Sequence, residues 1–595
     1  MTEDLRRLRE EVDRLLEENS YAAAARKLSD AWRLDSSPAG AGFAVSRSER
    51  LRGQIPMLPY RLAILRSFTV EPAVPLLRAS AFSIGVDLTV QLGDFNAYAQ
   101  ELLDAGSSLY RFEPQAVILA AQSYEPDALR TWLRVFRERS NAHLILHTVE
   151  APPVARRGVL DAQTEGGEWD TVQRLNAELR KIAREFRGVY ILDYDALVAR
   201  YGRETWHDER KWLTMRMPVA APQLIHLAQE WMRFLHPLTG KLAKVLVTDL
   251  DNTMWGGVIG EDGMEGIQLN GEYPGAAYQA LQQAMLDFYQ RGILLAINSK
   301  NNPADAMEAL EKHPGMILQP RHFGALRINW DDKAQNLREI AKELNVGIDS
   351  LAFLDDNPVE RQHVRDQLPE VTVVELPENP MDFARALRDC PVFERLTLSD
   401  EDAKRGEYYA AERDRKKLEQ TASSPEEFYR SLEQELEVRR VTPMTLARVA
   451  QLTQKTNQFN TTTRRYSEQQ IQALEQNSHR VYSLRVKDRY ADNGLVGVAI
   501  LAEKGEVCEI DTLLLSCRVI GRTVETAFLS KLAEEARTAG AVRLEGWFLP
   551  TKKNAPAKDF YAQHGFEPAT ETPEGTRWSL DLTKPAPCPD WIRFL

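Results

Sequence analysis

The stretch Val245-Leu-Val-Thr-Asp249-Leu-Asp251-Asn-Thr253-Met-Trp255-Gly-Gly257 is an apolar run that stops abruptly at two carboxylates. A run without apolar–polar alternation reads as a strand covered on both faces, as in a parallel sheet. In open α/β sheets chemistry sits just past the carboxyl ends of the strands. Asp249 and Asp251 are therefore placed where a site would be, and one intervening residue lets both reach the same centre. One carboxylate can attack phosphorus when a cation neutralises the anionic partners, and the other can donate or accept the leaving group's proton. Mg²⁺ suits an all-oxygen site of this kind. The competing reading is a pair of turn aspartates that cap a helix.

Two further runs end the same way. Leu294–Ile297 leads into Asn298-Ser299-Lys300, and Leu351–Leu354 leads into Asp355-Asp356-Asn357-Pro358. Between them Asn329-Trp-Asp-Asp-Lys333 opens a helical pattern from Ala334 to Leu344. A lysine at a helix start opposes the macrodipole, which is easier to understand if its ammonium reaches an anion. The intervals Asp249–Asn298 and Ser299–Lys333 are used up by the helix and strand each must hold. No cap domain fits, and the glycine-rich stretch Trp255–Pro274 can form only a flap. The site is expected to be open, or covered by a neighbouring domain.

This set of four motifs resembles the haloacid dehalogenase superfamily. The resemblance implies that Asp249 is a nucleophile that becomes aspartyl phosphate and Asp251 the general acid/base. It implies that Thr253, Ser299 and Lys333 hold the phosphoryl group. Asp249, Asp355 and Asp356 would bind Mg²⁺ together with Asp251, through its backbone carbonyl. The match narrows in Asp249-Leu-Asp-Asn-Thr-Met-Trp-Gly-Gly-Val-Ile-Gly-Glu-Asp-Gly263, in Phe353-Leu-Asp-Asp-Asn-Pro-Val-Glu-Arg361 and in Thr453-Gln-Lys-Thr-Asn-Gln-Phe-Asn-Thr-Thr-Thr-Arg-Arg-Tyr466. These resemble the FkbH-like proteins of polyketide pathways. That resemblance implies a bifunctional glyceryltransferase/phosphatase. It would take a glyceryl unit from 1,3-bisphosphoglycerate and load it, dephosphorylated, as a thioester on the phosphopantetheine of an acyl carrier protein.

At 595 residues the chain has room for three or four domains. The expected class is multidomain α/β: an SGNH-like α/β domain, a capless HAD-like core and a C-terminal GNAT-like α+β domain. The formal charge of −12 argues against nonspecific nucleic-acid binding. The four cysteines show no CxxC spacing, against a zinc site or disulfide framework. No signal core and no apolar run of membrane-spanning length are present, so the chain reads as cytoplasmic.

In order, residues 1–50 read as a helical segment, with Leu5, Leu8, Val12, Leu15 and Leu16 at helical spacing and Ser36–Gly42 as a loop. Residues 55–235 alternate strand and helix, with strands at 61–65, 86–90, 116–120, 143–147 and 189–192. By resemblance this domain is SGNH-like. Ser67 has a nucleophile's place, but His207-Asp208 has the wrong order for a triad, which favours a binding or structural role. Residues 240–395 form the phosphatase core, 400–430 solvated charged helices, 435–583 the GNAT-like domain and 584–595 a tail.

In the GNAT-like domain, Arg518-x-x-Gly521-x-Thr523 resembles the pyrophosphate loop of acyltransferases, at a helix start. Making a thioester from an acyl phosphate needs sulfur. Cys517 is the candidate nucleophile, because a following helix and Arg518 favour thiolate; the bland reading is a small buried residue. A continuing strand would put Cys517 on the face of Asp511 and Glu509. Asn457, Arg464 and Arg465 form a polar cluster that could hold the donor's phosphates or carboxylate. The alternative overall reading is a Mg-dependent phosphatase fused to an acyltransferase that uses acyl-coenzyme A.

Overall fold

The computed structural model describes residues 3–398, 405–477 and 479–595, with every side chain in them except that of Cys517. The chain forms two compact units, Met1–Lys244 with Arg385–Leu398, and Val245–Ala384 with Ser399–Leu595. Among the described residues no helix is long and apolar enough to cross a membrane.

The first unit is built on a five-stranded parallel sheet in the order β2-β1-β3-β4-β5. Its strands are β1 (Leu58–Arg66), β2 (Val86–Leu92), β3 (Ala116–Ala120), β4 (His143–His147) and β5 (Val189–Leu192). Every residue of β3 is buried, as a central strand covered on both faces requires. The helices Glu3–Glu17, Tyr21–Leu34 and Pro38–Leu51 supply Val12, Leu16, Leu28 and Ala44 to the core on one face. The expected loop at Ser36–Gly42 is instead the start of the third helix. Ser37 accepts the Gly40 N–H at 3.1 Å and Pro38 occupies the first turn, where a missing N–H costs nothing. Gly40 is needed there because a Cβ would meet the Asp35 carbonyl oxygen at 1.9 Å.

The second unit contains two sheets. One is parallel, in the order β10-β9-β6-β7-β8, with β6 (Val245–Thr248) flanked by β9 (Leu351–Leu354) and β7 (Leu294–Lys300). The outer strands are β8 (Phe323–Asn329) and β10 (Thr372–Val373). Between β6 and β7 lie only the short helix Ile259–Gly266, a loop and the helix Gly275–Gln290, so this core has no cap.

The other sheet runs β17-β18-β16-β15-β14-β13-β11-β19. Its members are β11 (Gln434–Arg440), β13 (His479–Lys487), β14 (Asp492–Lys504), β15 (Val507–Leu515), β16 (Arg543–Phe548), β17 (Glu567–Thr572), β18 (Gly575–Asp581) and β19 (Ile592–Phe594), and β12 (Phe459–Asn460) pairs with β15 off this path. The parallel pair β15–β16 is in register only from Val507 to Ile510. Beyond that point β12 takes the vacated edge of β15 at Leu514 and Leu515. Thr461 then bridges the gap, donating to the Leu513 carbonyl at 3.0 Å and accepting the Leu549 N–H at 2.8 Å.

Two expectations fail in this unit. The helix Arg405–Thr421 is not a solvated linker, because Arg413 and Arg415 are buried in it. The segment 584–595 is not a loose tail. Ile592–Phe594 pairs with Gln434–Leu436, and the Trp591 indole N–H donates to Thr523 Oγ1 at 2.9 Å.

Candidate active site

Strand β6 ends at Thr248, and the Asp249 N–H donates to the Leu354 carbonyl of β9 at 2.9 Å. The chain then turns, with Asn252 at φ +53° and the N–H groups of Thr253 and Met254 both bonded to the Leu250 carbonyl. The turn presents Asp249 and Asp251 past the sheet's carboxyl edge, as the sequence implies.

Lys333 is the electrostatic centre. It opens the helix Lys333–Glu343, is 3% exposed, and places Nζ 2.9 Å from Asp249 Oδ2 and 2.5 Å from Asp355 Oδ2. Burial alone would lower its pKa, but the two carboxylates outweigh burial and raise it. A network of asparagines holds this helix start. Asn298 Nδ2 donates to the Lys333 carbonyl at 2.9 Å, and Asn336 Nδ2 donates to Asn298 Oδ1 at 3.0 Å and Asn329 Oδ1 at 2.8 Å.

Asp355 and Asp356 follow β9, and Arg361 Nη1 donates to both of their carbonyls at 2.7 Å. Burial, then the Asp249 charge, pushes the Asp355 carboxyl up to about 6 against the pull of Lys333. Burial and Asp249 also raise Asp356, which Thr253 opposes by a hydrogen bond of 3.1 Å from its hydroxyl. Thr253 thus orients a carboxylate here.

Carboxylate oxygens of Asp249, Asp355 and Asp356 lie within 4.8 Å of one another. Asp249 Oδ1 is buried without a hydrogen-bond partner. A buried, unpartnered anionic oxygen beside two carboxylates is a donor set for a hard divalent cation, and Mg²⁺ fits it. The Asp251 carboxylate lies outside this cluster, so a metal role for Asp251 would rest on its backbone carbonyl.

Asp251 accepts three hydrogen bonds instead. Trp255 Nε1 at 2.9 Å and the Ile259 N–H at 3.1 Å meet Oδ1, and Asn301 Nδ2 at 2.8 Å meets Oδ2. Burial raises its pKa, the Asp249 charge adds to the rise, and the three donors oppose it. Ser299 lies buried at the end of β7, beside the same edge. Asn301, Asn336 and Arg361 join the site without being among the residues the sequence motifs point to; the polar cluster Asn298-Ser-Lys-Asn301 after an apolar run is the signal that leads to Asn301.

The remaining predicted residues lie in loops and turns beside the strands of the other sheet of this unit. Arg464 pairs with Asp511, whose other oxygen accepts the Tyr466 hydroxyl at 2.5 Å. Arg465 donates to the Thr453 carbonyl at 3.0 Å and to Asn457 Oδ1 at 2.5 Å. The two arginines therefore brace the segment that fills the gap beside β15, and do not form a paired anion clamp. The strand does not continue to Cys517: β15 ends at Leu515 and Cys517–Val519 is a 3₁₀ turn. The Cys517 side chain lies outside the described residues. Arg518 stacks over the Tyr408 ring at 4.4 Å, and Gly521 takes φ +78°.

In the first unit, Ser67 Oγ accepts the Gln122 N–H at 2.9 Å, while His207 Nε2 lies 3.1 Å from Glu150 Oε2. Asp208 caps a helix by accepting the Lys211 N–H at 3.0 Å. Each member of the sequence-level set has its own local partner.

No protein-family model matches the chain, and no curated protein does. Among solved structures, the N-terminal part of BF1531 from Bacteroides fragilis, which contains a phosphatase domain and is complexed with Mg, is 28% identical with a TM-score of 0.52. The match covers 57% of this chain and 96% of that one. The ribosomal-protein-S18-alanine N-acetyltransferase of Escherichia coli is 16% identical over 25% of this chain and 94% of its own, with a TM-score of 0.20. The chain thus shares the fold of that phosphatase-containing structure over the matched part, and its own parallel sheet carries the carboxylates gathered around Lys333 at the carboxyl edge.

Proposed function

We propose that this protein is a Mg²⁺-dependent bifunctional glyceryltransferase/phosphatase of FkbH type. It takes the acyl group of 1,3-bisphosphoglycerate, removes the remaining phosphate, and leaves the glyceryl unit as a thioester on the phosphopantetheine of an acyl carrier protein. The observation that carries the phosphatase half is the unpartnered, buried Asp249 Oδ1 within a three-carboxylate cluster that Lys333 partly neutralises. The three signature stretches quoted above support the glyceryl half.

In the phosphatase step an Asp249 carboxylate oxygen attacks phosphorus and the bond from phosphorus to the substrate oxygen breaks. Asp251 gives that oxygen its proton. Asp251 then takes a proton from water as water attacks the aspartyl phosphate, releasing phosphate and restoring Asp249. Lys333 and Ser299 hold the phosphoryl oxygens, and Asp249, Asp355 and Asp356 would hold Mg²⁺. Bound there, the ion offsets the negative charge of the reacting groups. In the transfer step a thiolate attacks the acyl-phosphate carbonyl carbon and expels phosphate. Cys517 is the enzyme sulfur we assign to that step; the carrier's phosphopantetheine thiolate then attacks the enzyme thioester and releases the Cys517 thiolate, and the SGNH-like first unit has a binding or structural role.

The test is intact-protein mass spectrometry after incubation with Mg²⁺ and freshly generated 1,3-bisphosphoglycerate, with and without a phosphopantetheinylated carrier. A glyceryl-sized adduct absent in Cys517→Ala and discharged by the carrier is the expected result. Carrier loading without an enzyme adduct would remove Cys517 from the pathway. With neither adduct nor loading, the glyceryl reading fails, and a phosphatase joined to an acyl-coenzyme-A-using domain takes its place.

A further inference from the structure

Asp251 accepts three hydrogen bonds, from Trp255, Ile259 and Asn301. We propose that Trp255 and Asn301 are positioning residues for catalysis, which aim the Asp251 carboxyl at the leaving-group oxygen. The assignment rests on the phosphatase reading of Asp249 and Asp251.

Each Asp251 oxygen is fixed from a different element. Oδ1 takes the Trp255 indole N–H and the Ile259 amide, both from the flap that follows β6. Oδ2 takes Asn301 Nδ2, from the loop after β7. With one oxygen tied to the flap and the other to a second strand end, the carboxyl plane cannot rotate.

The two side chains are themselves immobilised. Trp255 is 0% exposed, and a buried indole N–H requires an acceptor. Its neighbours on both sides are pinned. The Met254 carbonyl accepts from the buried Gln282 Nε2 at 2.8 Å, and Gly256 exchanges backbone bonds with Gln268 at 3.1 and 2.7 Å. A Cβ on Gly256 would meet the Tyr278 ring at 2.7 Å, so the flap closes here without slack. The orientation of the Asn301 amide is set as well, because its Oδ1 accepts the Asn302 N–H at 2.9 Å and leaves Nδ2 for Asp251. What the hydrogen bonds of Trp255 and Asn301 share is Asp251.

A positioning role predicts a dependence on leaving group that a packing role does not. p-Nitrophenolate departs without needing a proton, whereas the alkoxide of glycerol 3-phosphate needs one. The experiment measures kcat and KM with both esters, in Mg²⁺, for wild type, Trp255→Phe, Asn301→Ala and Asp249→Asn. Trp255→Phe removes the N–H and keeps the buried ring, and Asn301→Ala tests the other oxygen should the first variant fold poorly. We expect kcat/KM, which reports steps only up to release of the alcohol and not the later hydrolysis of aspartyl phosphate, to fall roughly 10- to 100-fold for glycerol 3-phosphate in each positioning variant, with p-nitrophenyl phosphate changed less than about threefold. Equal losses of kcat/KM on both esters, or no loss on either, would overturn the assignment while the phosphatase reading stands. A wild type inactive on both esters, or an Asp249→Asn variant as active as wild type, overturns the phosphatase reading and this assignment with it.

Discussion

Arg413 and Arg415, two residues apart on one helix, bury their guanidiniums on opposite sides of it. Arg413 Nη1 donates to the carbonyls of Pro320 and Phe323 at 2.8 and 2.7 Å, at the outer edge of the parallel sheet β10-β9-β6-β7-β8. Arg415 makes a forked pair with Asp488, in the turn between β13 and β14 of the other sheet, both bonds at 3.0 Å. Two helical residues lie about 200° apart around the axis, so the divergence follows from helix geometry.

Removing one end of that strut should destabilise the second unit. Asp488 is buried, and Arg522 Nη1 at 3.2 Å is its other cationic partner. Arg415→Ala leaves the carboxylate short of its forked partner, and we expect a loss of about 3 kcal/mol. Urea denaturation followed by tryptophan fluorescence measures it, and an unchanged midpoint would show that the pair is incidental.

Mg²⁺ binding should weaken in acid. Protons compete with the cation for carboxylates, and the cation-free Asp355 carboxyl is pushed up to about 6 by burial first and then by Asp249. Its proton is bound below that pH, so affinity falls as pH drops through it. Calorimetric titration should give at least about tenfold weaker binding at pH 5 than at pH 7.5. Asp356→Asn should weaken binding at both. Equal affinities across the range would exclude Asp355 from the cation site.

Lys333 supplies positive charge to Asp249 and Asp355 in the absence of a cation. Lys333→Met should therefore lower phosphatase activity by roughly 100-fold or more. It should also enlarge the rise in melting temperature that Mg²⁺ produces, because the ion then compensates for the missing ammonium as well. A Mg²⁺-induced shift no larger than that of wild type would show that Lys333 does not neutralise the cluster.

His207 and Glu150 predict a pH dependence in the first unit. The hydrogen bond to Glu150, helped by its charge and opposed by burial, raises the His207 pKa. A raised folded-state pKa stabilises fully below the unfolded value near 6.5, and that stability is lost as pH rises through the folded value. His207→Gln should cost about 1 kcal/mol or less at pH 5.5 and less still at pH 9. Thermal melts of both proteins at the two pH values decide it; a cost that grows with pH would reverse the assignment.

The strands that position the candidate site were legible because each is a short apolar run stopped by polar residues. Leu294–Ile297 and Leu351–Leu354 both lie in observed strands, and the absence of a cap follows from chain length alone. What could not be read is whatever depends on a distant partner. The charged stretch around Arg413 and Arg415 looks solvated until carbonyls from residues 320 and 323 and the carboxylate of Asp488 are brought to it. Arg464 and Arg465 look like an anion site until Asp511 and the Thr453 carbonyl claim them. At Ser36–Gly42, glycine and proline signal a loop and a helix start alike, and only the Ser37 cap distinguishes the two.

The pairing of β19 with β11 sets a clock on assembly. Gln434 meets Ile592, roughly 160 residues further along the chain. At about 5–20 residues per second, a growing polypeptide leaves that edge of β11 without its partner for roughly ten to thirty seconds. Gln434-Glu-Leu-Glu-Val-Arg-Arg440 alternates charge with apolar residues, and charged side chains discourage edge-to-edge association. Charged residues at alternate positions of that strand are therefore of the kind that disfavours wrong pairing for as long as the edge stays open.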